Sequence, residues 1–212
     1  GGSSEPLLRL GAANALENAD PKLAVACAPA LLDDPLLAVR ISAAQALAGI
    51  DPVLLPAGSN PLLQNALKEF ISAQQINNER AESHINIGNL YRTQGRIELA
   101  EPAYRQALKL NPGFVPAYVN MADMYREWNR EGDAEAVLRA GLAAVPDDAY
   151  LHHSLGLALV RQNRLQEALP ELKLAADSSD AVARFALVYA LALEGIGKYG
   201  EASAYLAAAK SR

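Results

Sequence analysis

The chain has 212 residues, of which 51% are hydrophobic and 20% charged, an ordinary globular composition that can supply a substantial core. Its net charge of −5 argues against a nucleic-acid partner, because phosphate binding requires clustered lysine and arginine. The single cysteine, Cys27, excludes a disulfide framework, a cysteine-based zinc site and a CxxCH haem motif in this stretch, and we expect no cofactor in it. The longest apolar run, 185–193, is far shorter than the ~20 residues of a spanning helix, so no membrane insertion is expected.

The first four residues, Gly1–Ser4, have the composition of a cloning scar and carry no fold information. The chain has no initiator methionine, so we expect it to be a piece of a longer protein. The absence of a signal peptide therefore leaves the compartment open.

Residues 5–60 carry a short repeat with an offset of 31 residues. Arg9 and Arg40 stand at matching positions, and the alanines and the leucine that follow them recur in register. An aspartate precedes a proline three times, which predicts three helix starts, because aspartate caps free N–H groups and proline fits the first helical turn. The three aspartates are Asp20, Asp34 and Asp51.

The segment 33–50, DDPLLAVRISAAQALAGI, resembles the short HEAT-like repeats of the phycobilisome-lyase type. Residues 5–60 are therefore expected to be HEAT-like helical repeats. Cys27 lies in an apolar helical stretch and is predicted to be a small buried side chain.

Residues 61–80 are predicted to be a junction between two kinds of repeat. Several prolines and a glycine interrupt helix formation before it, and a helix is then expected from about Leu62 to Gln75. This helix matches the second half of the repeat that follows, because three of its apolar residues precede equivalents there by 34 positions, and we expect no flexible linker. The three residues are Ala66, Phe70 and Ala73.

A period of 34 residues organises the rest of the chain, 81–212. The copies are 81–114, 115–148, 149–182 and 183–212, and each predicts two helices joined by a turn, which Gly95 marks in the first copy. Small residues recur in register wherever two helices must approach closely. They are Gly88, Ala122, Gly156 and Ala190 in the first helices, and Ala100, Ala134, Ala168 and Ala202 in the second.

This period and pattern resemble the tetratricopeptide repeat, which has the same length. The resemblance implies an all-α fold, a right-handed α-solenoid of HEAT-like repeats followed by four tetratricopeptide repeats. It also implies a non-enzymatic protein–protein interaction module, in which the first helices of successive repeats line a concave groove for a peptide or a partner domain. We expect a protein or peptide ligand and a monomeric chain.

The groove-facing positions of that family map onto ten polar and apolar residues here. They are Asn86, Asn89, Arg92, Asn120, Asp123, Arg126, His153, Ser154, Leu157 and Arg161, with Tyr150, Arg184, Leu187, Val188 and Leu191 at further groove positions. Asn86 and Asn120 are in register, and an asparagine amide can both donate to and accept from a peptide backbone. The alternative is that these amides only solvate an exposed helix face.

The arginines of the groove allow two interpretations. Arg92 and Arg126 are in register, and together with Arg161 they would hold a carboxylate or a phosphate. Alternatively, they pair with acidic residues of the groove itself, as Asp123 and Arg126 would at i and i+3.

No catalytic set is found in the sequence. His84 and His152 occupy a large-residue packing position of their repeats, and the groove-facing His153 has no carboxylate or serine partner in register. We therefore predict a chain that is not an enzyme.

Two larger contexts remain open for this stretch. HEAT-like repeats followed by tetratricopeptide repeats resemble the C-terminal part of certain bacterial multi-haem c-type cytochromes, which implies a docking arm of a periplasmic electron-transfer protein. A regulatory arm of a transferase is the other alternative. The compartment is periplasmic if the cytochrome resemblance holds and cytoplasmic otherwise.

Overall fold

The computed structural model describes residues 5–178 and 183–209. Residues 1–4, which were predicted to be a cloning scar, and residues 179–182 and 210–212, at the ends of the predicted third and fourth copies, lie outside the described residues. The described parts contain twelve α-helices, two short 3-10 helices and no strand, so the all-α prediction is confirmed. The α-helices are α1 Pro6–Leu16, α2 Pro21–Cys27, α3 Leu37–Leu47, α4 Ser59–Gln75, α5 Ala81–Thr93, α6 Ile97–Leu110, α7 Val115–Glu127, α8 Glu131–Ala144, α9 Ala149–Arg161, α10 Leu165–Asp177, α11 Ala183–Gly195 and α12 Tyr199–Ala209.

The chain divides into two compact units, 1–103 and 104–212. Unit 1 is built around a core of alanine, leucine and valine side chains from α1 to α5. Unit 2 contains α7 to α12, in which α9 packs against α7, α8 and α10.

Aspartate–proline pairs begin helical segments in unit 1 at two of the three predicted places. The Asp20 carboxylate accepts a hydrogen bond from the backbone N of Lys22 at 2.8 Å, and α2 begins at Pro21. Asp51 accepts from the backbone N of Val53 at 3.0 Å, and a 3-10 helix covers Pro52–Leu54. These carboxylates satisfy N–H groups that have no partner within the helix.

The third pair behaves differently, because Asp34 joins a tertiary ion pair. Its carboxylate accepts from the backbone N of Leu36 at 2.9 Å and from Arg9 Nε at 2.6 Å. Pro35 and Leu36 therefore lie in a turn, and α3 begins only at Leu37. Arg40 also anchors this turn, since its Nη1 donates to the Asp34 carbonyl at 2.7 Å.

Two further predictions for unit 1 are corrected. Cys27 is exposed rather than buried, and it is the last residue of the short helix α2. The junction helix begins at Ser59, three residues before the predicted Leu62. Gly58 precedes it with a φ of 82°, and the proline at 61 lies in the first turn, where its missing N–H costs nothing.

The 34-residue period is visible in the backbone of the helical pairs. The first helices α5, α7, α9 and α11 begin at Ala81, Val115, Ala149 and Ala183. Each is followed by a residue with a left-handed φ that lets the chain reverse. Two of these four residues are asparagines, whose role as turn residues was not predicted from the sequence. These residues are Gly95 (71°), Asn129 (57°), Asn163 (60°) and Gly197 (80°).

Small residues of the period are required where helices cross. A Cβ at Gly156 would lie 2.5 Å from Leu172 Cδ2, and one at Gly141 would lie 2.9 Å from Leu151 Cδ2. Ala134 of α8, which is in register with Ala100, Ala168 and Ala202, is fully buried. Close approach of the helix backbones therefore explains why only small side chains occupy these positions.

Candidate functional site

The helix α5 carries the groove-facing residues of unit 1. Asn86 is exposed, and its Nδ2 donates to Gln74 Oε1 of α4 at 3.0 Å, so one of its amide hydrogens is already engaged. Asn89 and Arg92 are half-buried on the same helix. Asn86 and Asn89 line a cleft of about 260 Å³, whose other polar walls are Glu17 and Asn18 after the end of α1, Gln45 of α3 and Thr93 of α5. The repeat pattern does not indicate this cleft, because Glu17 and Gln45 lie some forty to seventy positions earlier in the chain than the two asparagines.

The helix α7 carries the groove-facing residues of the second repeat, in unit 2. Asn120 is half-buried. Arg126 is exposed, and its guanidinium contacts its own helix, with Nε 3.4 Å from Asp123 Oδ1 and Nη2 4.0 Å from Glu127 Oε1. The second of the two interpretations, pairing within the groove, therefore describes this arginine.

Arg161, at the end of α9, joins two repeats. Its Nε and Nη2 donate to the two carboxylate oxygens of Glu131, which begins α8, at 2.6 and 3.2 Å. This bidentate geometry fixes the planar guanidinium against the preceding repeat. Arg161 is therefore engaged in repeat packing, whereas Ser154 and Leu157 remain half-buried on α9.

His153 does not face a groove as predicted, because it is only 5% exposed. Its imidazole stacks on Phe185 of α11 with the ring centroids 4.2 Å apart, and Nδ1 has no hydrogen-bond partner among the described residues. Burial, together with the nearby positive charge of Arg184, lowers the pKa of His153 to about 4. At neutral pH the imidazole is thus uncharged, so it offers no positive charge to an acidic ligand group.

Apolar side chains stand on the first helices of the last two repeats. Tyr150 of α9 is 45% exposed, and its ring contacts Phe185 edge-on at 5.2 Å between centroids. Leu187 and Leu191 of α11 are 49% and 56% exposed. Arg184 lies at the N-terminal end of α11, with its guanidinium carbon 5.7 Å from the Phe185 ring centroid. We refer to Tyr150, Arg184, Leu187 and Leu191 as the apolar face of unit 2.

The other histidines stabilise turns. His84 Nε2 lies 2.8 Å from the carbonyl oxygen of Asn78, and His152 Nε2 lies 2.8 Å from that of Pro146. Tyr118, in register between them, donates to the carbonyl of Pro112 at 2.9 Å. The two histidines are half-buried. Besides packing, each ring therefore contacts a backbone carbonyl of the turn that precedes its helix.

The described ranges contain neither a cluster of metal-ligand side chains nor a helix suited to a membrane. No group of three or more histidine, cysteine, aspartate or glutamate side chains could hold a metal ion. No helix there combines the length and apolar character that crossing a membrane requires.

Comparison with known proteins identifies the repeat. Sequence models of the tetratricopeptide repeat match residues 81–114 and 125–181, so the chain contains tetratricopeptide repeats. A HEAT-like character of residues 5–60 and a link to cytochromes do not emerge from these comparisons.

Solved structures of similar fold include three proteins of low sequence identity. The pilF protein of Pseudomonas aeruginosa is 20% identical with a TM-score of 0.57, over 69% of this chain and 68% of that one. MamA of Desulfovibrio magneticus RS-1 is 19% identical with a TM-score of 0.55, over 73% of this chain and 85% of that one. YrrB, described as a TPR protein with an unusual peptide-binding site, is 26% identical with a TM-score of 0.53, over 67% and 73%.

The curated relatives are much longer proteins. The chain is 26% identical over 145 residues to the protein O-mannosyl-transferase TMTC3 of Mus musculus, and equally to that of Homo sapiens. The match covers 59% of this chain and only 16% of either relative.

Proposed function

We propose that this protein, which contains tetratricopeptide repeats at 81–114 and 125–181, is a non-enzymatic interaction module that binds a peptide segment of a partner protein. The observation that carries the proposal is the apolar face of unit 2. Leu187 and Leu191 stand one helical turn apart on α11, each about half exposed, with Tyr150 on the neighbouring first helix. Burying such side chains is favourable by roughly 25 cal/mol per Å² of apolar surface removed from water.

The chemistry of this face defines the ligand. Two leucines and a tyrosine ring select a segment with at least two apolar side chains. The exposed Arg184 guanidinium at one end favours an acidic residue beside them, because a charged rim sets the orientation of a bound segment. YrrB, a protein of similar fold, is described as having a peptide-binding site, which supports the general type of ligand.

Polar side chains at groove-facing positions supply hydrogen-bonding groups for a bound segment. Asn120 and Ser154 occupy equivalent positions of successive repeats on α7 and α9, and both are half-buried. We propose that they bind the backbone of the segment, and that Leu157 adds apolar contact. On α5 of unit 1, Asn86, Asn89 and Arg92 are proposed to serve the same kind of contact.

Selection from a display library of random peptides, followed by affinity measurement, tests this function. Leu187→Glu should weaken binding of the selected peptides by tenfold or more, since it places a charge at the centre of the face. Leu174→Glu is the matched control, because Leu174 is 55% exposed but lies on α10, a second helix. Equal binding by both variants, or selection of no peptide by the wild-type chain, would refute the proposal.

A second candidate is that this module is an arm of a larger transferase. The 26% identity to TMTC3, a protein O-mannosyl-transferase in which the match covers 16% of the length, favours it. The complete coding sequence decides between the contexts. A flanking catalytic domain would support the transferase, whereas upstream CxxCH motifs and a signal peptide would support the periplasmic cytochrome that the sequence resembles.

The chain is divided into three regions by its repeat pattern. We propose HEAT-like repeats at 5–60, a junction at 61–80 and four tetratricopeptide repeats from 81 onward. Proteolysis under native conditions would test it, since a continuous helical array should resist cleavage at the junction.

A further inference from the structure

A cleft of about 260 Å³ in unit 1 lies where three helices end. Glu17 and Asn18 follow the last residue of α1, Ala48 follows that of α3, and Thr93 is the last residue of α5. The ends of α3 and α5 meet closely, because a Cβ added at Gly49 would lie 3.1 Å from the Thr93 carbonyl oxygen. The C-terminal ends of three helices therefore border one small space.

The electrostatics of this cleft favour a cation. A helix C-terminus carries a partial negative charge from carbonyl groups that have no partner within the helix. Glu17 adds a carboxylate, and none of the residues that line the cleft is lysine, arginine or histidine. Apart from the hydroxyl of Thr93, the remaining polar walls are four side-chain amides, each of which offers an oxygen acceptor. They belong to Asn18, Gln45, Asn86 and Asn89.

The environment of Glu17 agrees with this electrostatic pattern. Desolvation by the surrounding chain raises the pKa of Glu17, and the neighbouring Ser42 acts in the opposite direction. The Glu17 side chain is nevertheless exposed, so its carboxylate is accessible to a ligand, and no basic side chain in the cleft lining neutralises its charge.

The shape and the donor pattern distinguish between kinds of cation. A metal ion is disfavoured, because Glu17 is the only carboxylate in the lining, and the described ranges contain no group of three or more histidine, cysteine, aspartate or glutamate side chains that could hold one. A guanidinium presents five N–H donors in one plane and suits a carboxylate flanked by amide oxygens, whereas an ammonium is a compact point charge. The apolar walls formed by Ala48, Phe70 and Leu90 suit the aliphatic part of an arginine side chain.

We propose that this cleft is a binding site for an arginine side chain of a partner polypeptide. The Glu17 carboxylate pairs with the guanidinium, and the amides of Gln45 and Asn86 accept its remaining N–H groups. The site lies within unit 1 and does not depend on the apolar face of unit 2, so either proposal can fail while the other holds.

The test uses the full chain and a peptide with one arginine, Gly-Ser-Arg-Ser-Gly, blocked at both ends. Its binding is followed through the side-chain amide NMR signals of Gln45, Asn86 and Asn89. The same peptide with citrulline, which has the shape of arginine without the charge, is the ligand control. Glu17→Gln is the key variant, and Glu79→Gln is its matched control, because Glu79 is an exposed carboxylate of unit 1 outside the cleft lining.

We expect the arginine peptide to shift these signals, and the citrulline peptide to leave them in place. Glu17→Gln should weaken binding about tenfold or more, as expected for loss of a charge-assisted pair, while Glu79→Gln binds like the wild type. Equal binding of the citrulline peptide, or an unchanged affinity of Glu17→Gln, would overturn the proposal. Equal binding of a lysine peptide would overturn the assignment to arginine, and equal binding of free arginine would overturn the polypeptide source. Leu187→Glu should retain this binding.

Discussion

His153 lies against Phe185 with the two ring centroids 4.2 Å apart and the ring planes 27° apart. Phe185 is fully buried and stands at the repeat position that holds Ala117 and Leu151 in the two preceding repeats. The larger ring at this position covers the imidazole. A histidine that the repeat pattern placed on an open groove is thereby enclosed between α9 and α11.

This enclosure should make stability depend on pH. Because burial and Arg184 lower the pKa of His153 from 6.5 to about 4, the unfolded chain takes up the proton first. The neutral imidazole's contribution to the free energy of unfolding is fully present above pH 6.5 and is lost as the pH falls towards 4. Between pH 7 and pH 5 the loss is about 2 kcal/mol, from 1.36 kcal/mol per pKa unit.

The variant His153→Phe isolates that contribution. It removes the titrating ring and its unpartnered Nδ1, so we expect stability at pH 7 to be unchanged or to rise by about 1 kcal/mol. The decrease from pH 7 to pH 5, measured by urea denaturation, should shrink by about 2 kcal/mol relative to the wild type. An identical pH dependence in the two proteins would contradict the assignment.

Glu135 should control stability in a more acidic range. Burial would raise the pKa of Glu135, but hydrogen bonds from Arg139, Gln162 and Arg164 outweigh it and lower the pKa to about 2. Arg164 Nη1 and Gln162 Nε2 approach Glu135 Oε2 at 2.6 and 2.9 Å, which joins α8 to the end of α9 and the start of α10.

The contribution of an ionised Glu135 is present above its unfolded-state pKa of 4.5 and is lost as the pH falls from 4.5 to about 2. Glu135→Gln should therefore cost about 1–3 kcal/mol at pH 7 and almost nothing at pH 2. Urea denaturation of both proteins across this range gives the difference directly. A cost that is the same at both ends of the range would show that the charge is not the cause.

Gly156 should be intolerant of a methyl group. An added Cβ would lie 2.5 and 2.6 Å from two carbons of the Leu172 side chain, so Gly156→Ala must displace that leucine. We expect a loss of about 1–3 kcal/mol in unfolding free energy, despite the better helix propensity of alanine. Gly132→Ala, also in unit 2, is the control. A Cβ there meets nothing within 4 Å, and its stability should be unchanged or higher by up to ~1 kcal/mol.

Much of this architecture follows from the sequence alone. The residues Ala81, Val115, Ala149 and Ala183 that open the predicted copies are the first residues of helices, because a strict period fixes where each element begins. The need for a small residue at Gly156 was likewise visible in the period.

The site was less predictable, because it depends on which side chains meet across helices. Arg161 pairs with Glu131 of the preceding repeat, a partner that the groove positions did not suggest. The cleft near Asn86 requires Glu17 and Gln45, whose distance along the chain hides their proximity. A repeat pattern specifies the helix face on which a residue lies, whereas the neighbouring side chains decide whether it is open.

Removal of the Asn120 amide should weaken peptide binding without changing the fold. Asn120→Ala takes away a group that can both donate to and accept from a peptide backbone, so we expect about a fivefold to tenfold weaker affinity for the selected peptides. Far-UV circular dichroism should remain that of the wild type. Gln166→Ala is the matched control, because Gln166 is an exposed amide on α10. An equal loss of peptide affinity in both variants would show that Asn120 does not contact the bound peptide.

Photo-crosslinking tests the central claim, that the apolar face of unit 2 binds a peptide, most directly. Benzoylphenylalanine is introduced at Leu187 in one protein and at Leu174 in another, since both leucines are about half exposed but only Leu187 lies on a first helix. The account predicts that a selected peptide crosslinks to the probe at position 187 and not to the probe at 174. Crosslinking at 174 alone, or equally at both positions, would contradict it.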